Sequence, residues 1–486
     1  MNTFNTLNPV RLWAFFEKIC TIPRLSKHED EIRKWLIDFS VENKLHYKED
    51  SAGNLLITRN AAEGFEHRKT VVLQSHLDMV GEKDADYPHN WLRDPIIPII
   101  NNGWVTASGT TLGADDGIGI AAQMAILTDT DLKAGKIECL FTVDEETGMT
   151  GAKNLKTDFF EGRTLLNLDS EDEGILFIGC AGGIDTIGRL AYETVQVAET
   201  SISVEISLTG LSGGHSGDEI HKGLANSIKQ MARFLKILSN KYDTGLAGLN
   251  GGNLRNGIPR EAFAIIVLEP SDREKIQDDL SDFLSVLKDE YGSLEPGIEA
   301  SIIDSTSPPA VLKSTDRDRI IDLLLDCPHG VLAWSKDMDD LVETSTNLAI
   351  VRFIGSNIVE IVTTQRSSVE SGKQQAAGMV EGCMKMAGAT VTHSEGYPGW
   401  KPDINSEILR ITRQSYHKLF GREPLVRAIH AGLECGLLYE KFPGIDMISF
   451  GPTIRGAHTP EERIDIASTV LFYDLLNEVV KNIPGK

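Results

Sequence analysis

Lys136-Ile-Glu-Cys-Leu-Phe-Thr-Val-Asp-Glu-Glu-Thr-Gly-Met-Thr-Gly151 is the stretch that decides the fold. It begins as an apolar run with β-branched residues, the pattern of a buried strand. It then stops in three acids, Asp144, Glu145 and Glu146, followed by two glycines. Carboxylates at the exit of a buried strand add little to packing. In α/β proteins, however, ligands bind beyond the carboxyl ends of the strands. Two adjacent glutamates there can divide two tasks, one holding a metal and the other moving a proton. The same acids could also be only a polar turn, so the reading depends on how the other strands end.

They end alike. Thr70-Val-Val-Leu-Gln-Ser-His-Leu-Asp-Met79 is a second apolar run that delivers His76 and Asp78. At i, i+2 on an extended chain both side chains face the same way. Asp78 can therefore accept the second ring N–H of a metal-bound His76. Arg163-Thr-Leu-Leu-Asn-Leu-Asp-Ser-Glu-Asp172 is a third run, ending in Asp169. Between them, Trp104 to Leu127 is a Gly-rich loop running into an apolar helix, with Asp115 and Asp116 at the junction. Such loops often cradle phosphate, but this one carries no Lys or Arg and suits a cation better. One aspartate there reads plainly as a helix cap; two do not. Near the C-terminus, Ile445 to Pro452 is a strand leading into a loop that carries His458.

The remaining texture predicts a helix over 8–20, then a capping box at Ser26-Lys-His-Glu29 and a second helix through Phe39. Two short strands follow between Tyr47 and Thr58. From about 187 to 394 the pattern changes. Ser201–Leu208 alternates as a half-exposed strand, His221–Leu238 reads as an amphipathic helix, 261–268 as a strand and 272–291 as a helix. Strands near 297–304, 347–354 and 358–364, a helix over 368–387 and a strand over 388–394 complete an α+β insertion with two similar halves. The predicted domains are a catalytic domain over 1–186 and 395–486 and an insertion over 187–394. Within the insertion, Leu211-Ser-Gly-Gly-His-Ser-Gly217 presents His215, and Thr363-Thr-Gln-Arg366 sets one arginine at a strand end.

A chain of 486 residues exceeds one ordinary core and predicts roughly two to four domains. The net charge of −23 argues against nucleic acid and disfavours an anionic membrane surface. No apolar run reaches a membrane-spanning length, and Met1–Val10 lacks the basic and apolar regions of a secretory signal. Cysteines 20, 139, 180, 327, 383 and 435 are scattered, without a CxxC pair. Several lie in apolar runs and read as buried thiols, and a reducing cytoplasm fits best.

Five candidate metal ligands emerge: His76, Asp115, Glu146, Asp169 and His458. Mixed imidazole and carboxylate donors suit zinc, cobalt or manganese rather than calcium. Five exceed the usual four-coordinate need of one zinc, and a bridging carboxylate would let them serve two metals about 3.5 Å apart. The ordered set Ser75-His-Leu-Asp78, Leu112-Gly-Ala-Asp-Asp-Gly117, Asp144-Glu-Glu-Thr-Gly148, Asn167-Leu-Asp-Ser170, Gly213-Gly-His-Ser-Gly217, His430-Ala-Gly-Leu-Glu-Cys-Gly436 and Ala457-His-Thr-Pro460 resembles a known family. It is the co-catalytic zinc peptidase family that includes aminoacyl-histidine dipeptidases, carnosinases and glutamate carboxypeptidases, and the chain is most similar to the first of these branches over essentially its whole length.

The resemblance implies an α/β fold: a zinc-peptidase catalytic domain with a mixed central sheet flanked by helices, plus an inserted α+β lid. It implies that Asp115 bridges two zinc ions, with cobalt or manganese as substitutes. His76 and Asp169 would complete one site, Glu146 and His458 the other. Glu145 would be the general base, Asp78 would orient His76, and the Asp115–Asp116 peptide would be cis. His215, brought in by the lid, would stabilise the oxyanion, and Arg366 would grip the substrate carboxylate, with Asn256 beside it. His430 and Glu434 would line the pocket, Glu434 meeting the α-amino group. The implied activity is hydrolysis of unblocked dipeptides in the cytoplasm, including Xaa-His and β-alanyl-histidine. The partner is a small peptide; the resemblance favours a homodimer, although a large lid could serve a monomer. Two rivals stand beside this: an aminoacylase, deacetylase or carboxypeptidase on the same metals, and a catalytically silent metal-binding protein. The presence of Glu145 speaks against the second.

Overall fold

Four runs of the sequence, Ile137–Thr142, Val71–His76, Thr164–Asn167 and Asp446–Ser449, lie side by side and parallel in that order at the centre of an eight-stranded sheet. The first three are buried at every residue, as parallel strands covered on both faces require. Leu55–Arg59, antiparallel to Ile137–Thr142, and then His46–Glu49 lie on one side; Ile175–Cys180, antiparallel to Asp446–Ser449, and then Leu425–Ile429 lie on the other. The sheet is therefore mixed. Its register pairs His76 with Thr142 and Gln74 with Asn167, so these three strands end at one edge.

This computed structural model describes residues 4–355 and 357–486, which form two compact units. The first unit runs to Gly179 and resumes with Trp400–Ala428 and Leu433–Lys486. Its helix Ala114–Leu127 is buried almost all round, as its uniformly apolar sequence demands. It packs on the strand Val71–His76 and on the helix Val10–Cys20. The helices Glu407–Phe420 and Ile466–Asn482 pack together, the former also on Asp446–Ser449. A second, four-stranded sheet orders Ile454–Arg455, Arg463–Asp465, Trp104–Ala107 and Pro98–Asn101. It ties the turn carrying His458 to the segment that leads to Asp115. No helix among the described residues is long and apolar enough to cross a membrane.

The second unit comprises Cys180–Gly399 and Ile429–Gly432, not 187–394. Residue 187 falls inside the strand Gly182–Ala191. Its main sheet runs 299–304, 202–209, 262–268, 245–251, then 342–354, 358–367, 182–191, 390–393. The two expected halves stand in mirror order: a hairpin, a helix (Arg273–Tyr291 or Glu370–Met386) and a returning strand in each. The first strand of the second half, 182–191, comes from ahead of the first half. Phe234, Leu280, Phe283, Ile320 and Leu348 belong to one core spanning both, where the rings of Phe234 and Phe283 stack at 5.2 Å. Full burial of such side chains stabilises by about 1.5–3 kcal/mol each. The helix expected from His221 starts at Ser227, because Asn226 accepts hydrogen bonds from Ile228 and Lys229 and so caps it.

Candidate metal centre

The centre is built at the carboxyl edge of the parallel strands. His76 is the last residue of its strand, and Asp169 follows Thr164–Asn167. Glu145 and Glu146 open a one-turn helix just beyond Ile137–Thr142. Asp115 sits where the Gly-rich loop meets its helix, joined to Asp116 by a cis peptide bond. Gly113, before it, has φ 69°, and a Cβ there would meet Arg24 Nη2 at 2.6 Å and Met79 Sδ at 2.8 Å, so only glycine fits.

The two oxygens of Asp115 face two different histidines. Oδ1 lies 2.9 Å from His76 Nε2, and Oδ2 lies 3.3 Å from His458 Nε2. His76 Nε2 is also 3.4 Å from Asp169 Oδ1, and His458 Nε2 is 3.1 Å from Glu146 Oε2. All five residues are thus brought together, with Asp115 facing both histidines. Asp116, not among them, also approaches: one of its carboxylate oxygens lies within 4.8 Å of donor atoms of His76 and Asp169. Its Oδ1 accepts from the Gly119 N–H at 3.0 Å, so of the paired aspartates Asp116 serves the helix start.

These groups call for positive charge. Burial pushes the Asp169 and Asp116 carboxyls well above the usual range. Burial likewise pushes Glu145 up to about 8, helped by Glu434, Glu146 and Asp115. His458 is raised to about 11 by its hydrogen bonds to Asp115 and Glu146. His76 is raised well above normal by Asp169, Asp115 and Asp78, against the desolvation of its burial. The donor chemistry fits divalent ions: three carboxylates (Asp115, Glu146, Asp169), two imidazoles (His76, His458), and a buried Glu146 Oε1 without a protein partner, with the Glu145 carboxylate close by.

Asp78 has two jobs. Its Oδ1 faces His76 Nδ1 at 3.4 Å, while the carboxylate accepts the Glu145 N–H at 3.0 Å and the Glu146 N–H at 3.2 Å. It also accepts the Ser26 hydroxyl at 2.8 Å. Against the desolvation of burial, which would raise it, the His76 ring and these donors hold Asp78 at about 2. The capping box expected at Ser26 does not form. The helix starts at Asp30, Ser26 goes to Asp78, and Glu29 accepts from the Lys27 and Asp144 N–H groups. Asp78→Asn is expected to weaken binding of one cation by about 10- to 100-fold, as a zinc titration would read.

Glu434 lies in the same unit, fully buried. Its Oε2 accepts from Gln74 at 2.7 Å and from Thr142 at 2.6 Å. The other candidates gather in the second unit. His215 lies on a two-stranded ribbon paired with Gly257–Ile258, and the carbonyl of neighbouring Asn256 accepts the Ser216 N–H at 2.7 Å. Arg366, buried near its strand end, donates to Tyr397 Oη at 2.9 Å and to Ser216 Oγ at 3.4 Å. His430 Nε2 meets Ser345 Oγ at 2.7 Å. Burial, then the nearby Arg366 charge, lowers His430 to about 3. Two positioning groups escape sequence reasoning. Arg24 donates to the carbonyls of Leu77 at 3.0 Å, Asp78 at 2.7 Å and Gly113. Glu462 accepts from four successive N–H groups at 112–115. Neither carries a local motif that announces it.

Known proteins resemble the chain over its full length. The cytosol non-specific dipeptidase of Escherichia coli is 41% identical over 486 residues, all of both chains. The crystal structure of aminoacylhistidine dipeptidase from Vibrio alginolyticus is 41% identical and superposes with a TM-score of 0.93, covering 100% of this chain and 99% of that one. A tripeptidase from Staphylococcus aureus, 18% identical, shares the fold at a TM-score of 0.57, with 98% of this chain and 99% of that one covered. The model of peptidase family M20/M25/M40 matches residues 72–482, and with that match and a full-length relative at 41% identity the chain belongs to this family.

Proposed function

We propose that this chain is a metal-dependent dipeptidase acting on unblocked dipeptides, Xaa-His and β-alanyl-histidine among them. The observation that carries the proposal is the shared Asp115 carboxylate between His76 and His458, with Glu145 beside them. The names of the full-length relatives support the dipeptide class, and one of them supports a cytosolic setting.

His76, Asp115 and Asp169 would hold one cation and Asp115, Glu146 and His458 the other, zinc by choice and cobalt or manganese as substitutes. Such a pair lowers the pKa of water toward neutrality and polarises the scissile carbonyl. Asp78 keeps the His76 ring turned so that Nε2 faces the cluster. Glu145 accepts the proton of the attacking water on its carboxylate and returns it to the leaving nitrogen. His215 donates to the developing oxyanion, and the Arg366 guanidinium pairs with the free carboxylate of the substrate, with Asn256 beside it and His430 lining the pocket. Glu434 is the candidate partner of the α-amino group.

The test is a panel of β-alanyl-histidine, glycyl-leucine, an N-acetylated dipeptide and a tripeptide with zinc-loaded protein. Cleavage confined to the free dipeptides is expected; cleavage of the blocked peptide alone would make the chain an acylase instead. Arg366→Ala is expected to lower kcat/KM on free dipeptides by about 10- to 100-fold, the worth of a charged hydrogen-bond pair. The same change should barely alter hydrolysis of a C-terminally amidated dipeptide.

A further inference from the structure

Four backbone N–H groups around the start of the helix Ala114–Leu127 converge on one side chain from far along the sequence. Glu462 Oε2 accepts from Leu112 at 2.8 Å and Gly113 at 2.9 Å, and Oε1 accepts from Ala114 at 2.7 Å and Asp115 at 3.3 Å. The side chain is buried, with Glu462 only 2% exposed. The first N–H groups of a helix have no partner within it and form the positive end of its dipole. A carboxylate satisfies both.

The position of Glu462 in the chain gives this cap a second consequence. It stands four residues after His458, directly before the strand Arg463–Asp465, which pairs with Trp104–Ala107. One carboxylate therefore joins the loop carrying His458 to the loop carrying Asp115. Arg24 makes the matching brace on the other side, donating to Gly113 O and to the carbonyls of Leu77 and Asp78. The two ends of the centre differ in what else holds them. His76 is fixed by the sheet ladder and by Asp78. His458 is half exposed in a turn with left-handed φ of 63°.

We infer that Glu462 is a positioning residue that sets the approach of His458 to Asp115. It thereby tunes the cation position formed by Asp115, Glu146 and His458 selectively over that formed by His76, Asp115 and Asp169. This rests on the two-cation reading above. Glutamine at 462 keeps one acceptor oxygen and turns an N–H₂ toward backbone N–H groups, so about half of the brace is lost without emptying the site.

The experiment is a titration of metal-free protein with zinc in buffered free-zinc solutions, on wild type, Glu462→Gln and Glu462→Ala, with a thermal melt of each. Wild type is expected to take two equivalents. Glu462→Gln is expected to take the first with wild-type affinity and the second about 10- to 100-fold more weakly, the usual effect of a group that supports a ligand. Equal weakening of both equivalents, or two unchanged equivalents in Glu462→Gln whatever its melting temperature, would reduce Glu462 to a helix cap and overturn the inference. The glutamine variant decides even if the alanine variant does not fold. A single equivalent in wild type would instead remove the two-cation reading, and the inference with it.

Discussion

Glu145→Gln is expected to lower kcat on a free dipeptide by about 10²- to 10⁴-fold while the zinc content stays at the wild-type level. Glu145 and Glu146 are neighbours in sequence, and both have a carboxylate oxygen within 4.8 Å of a His76 ring nitrogen. Glu146 Oε2 faces His458 Nε2 at 3.1 Å, as a ligand would. Glu145 forms no ion pair with either histidine among the described residues; its backbone N–H is pinned to Asp78 at 3.0 Å, which leaves its carboxylate beside the ligands. Glutamine preserves shape and removes the capacity to carry a proton, so the loss should fall on turnover and not on cation binding. A drop of only a few fold would place the base elsewhere. A matching loss of zinc would make Glu145 a ligand. Side-by-side measurement of kcat and metal content separates the three outcomes.

Asp115→Ala should have a comparably large effect by another route. Each oxygen of Asp115 faces its own histidine, so one substitution strips a donor from both cation positions. The expected loss of cation affinity exceeds the 10- to 100-fold assigned to a supporting group such as Asp78. Activity assayed against free zinc checks this. Excess zinc should restore Asp78→Asn and fail to restore Asp115→Ala. Recovery of Asp115→Ala to wild-type turnover at high zinc would show that the bridge is dispensable.

Much of the centre is legible in the sequence because strand exits are local features. An apolar run that stops in His76-Leu-Asp78, in Asp144-Glu145-Glu146 or in Asp169 declares both its burial and the edge where its chemistry lies. Parallel pairing then brings the exits together. What escapes the sequence depends on distance along the chain. Arg24 and Glu462 act on backbone groups about 50 to 350 residues away, and a buried charge aimed at carbonyls or N–H groups leaves no periodicity. Ser26-Lys-His-Glu29 has the spacing of a capping box, but Asp78 offers Ser26 a charged acceptor, and that bond wins.

In the second unit, Gly-Leu-Ala-Gly-Leu-Asn-Gly has poor strand propensity, so the strand Gly245–Gly251 leaves no mark in the sequence pattern. The packing accounts for two of its glycines. A Cβ at 245 would meet Val311 at 2.8 Å, and one at 251 would meet Ile228 at 2.7 Å. The helix Ser314–Asp326 is equally faint in the sequence, because its apolar residues are concentrated in its second half. The change in composition at 187 lags the strand Gly182–Ala191, whose small residues blur its start.

The most direct measurement is anomalous diffraction from zinc-soaked crystals, recorded on both sides of the zinc absorption edge. Two peaks are expected, one among His76, Asp115 and Asp169 and one among Asp115, Glu146 and His458, with the Asp115 carboxylate between them. A single peak, or two peaks that do not share Asp115, would contradict the two-cation centre on which the dipeptidase mechanism stands.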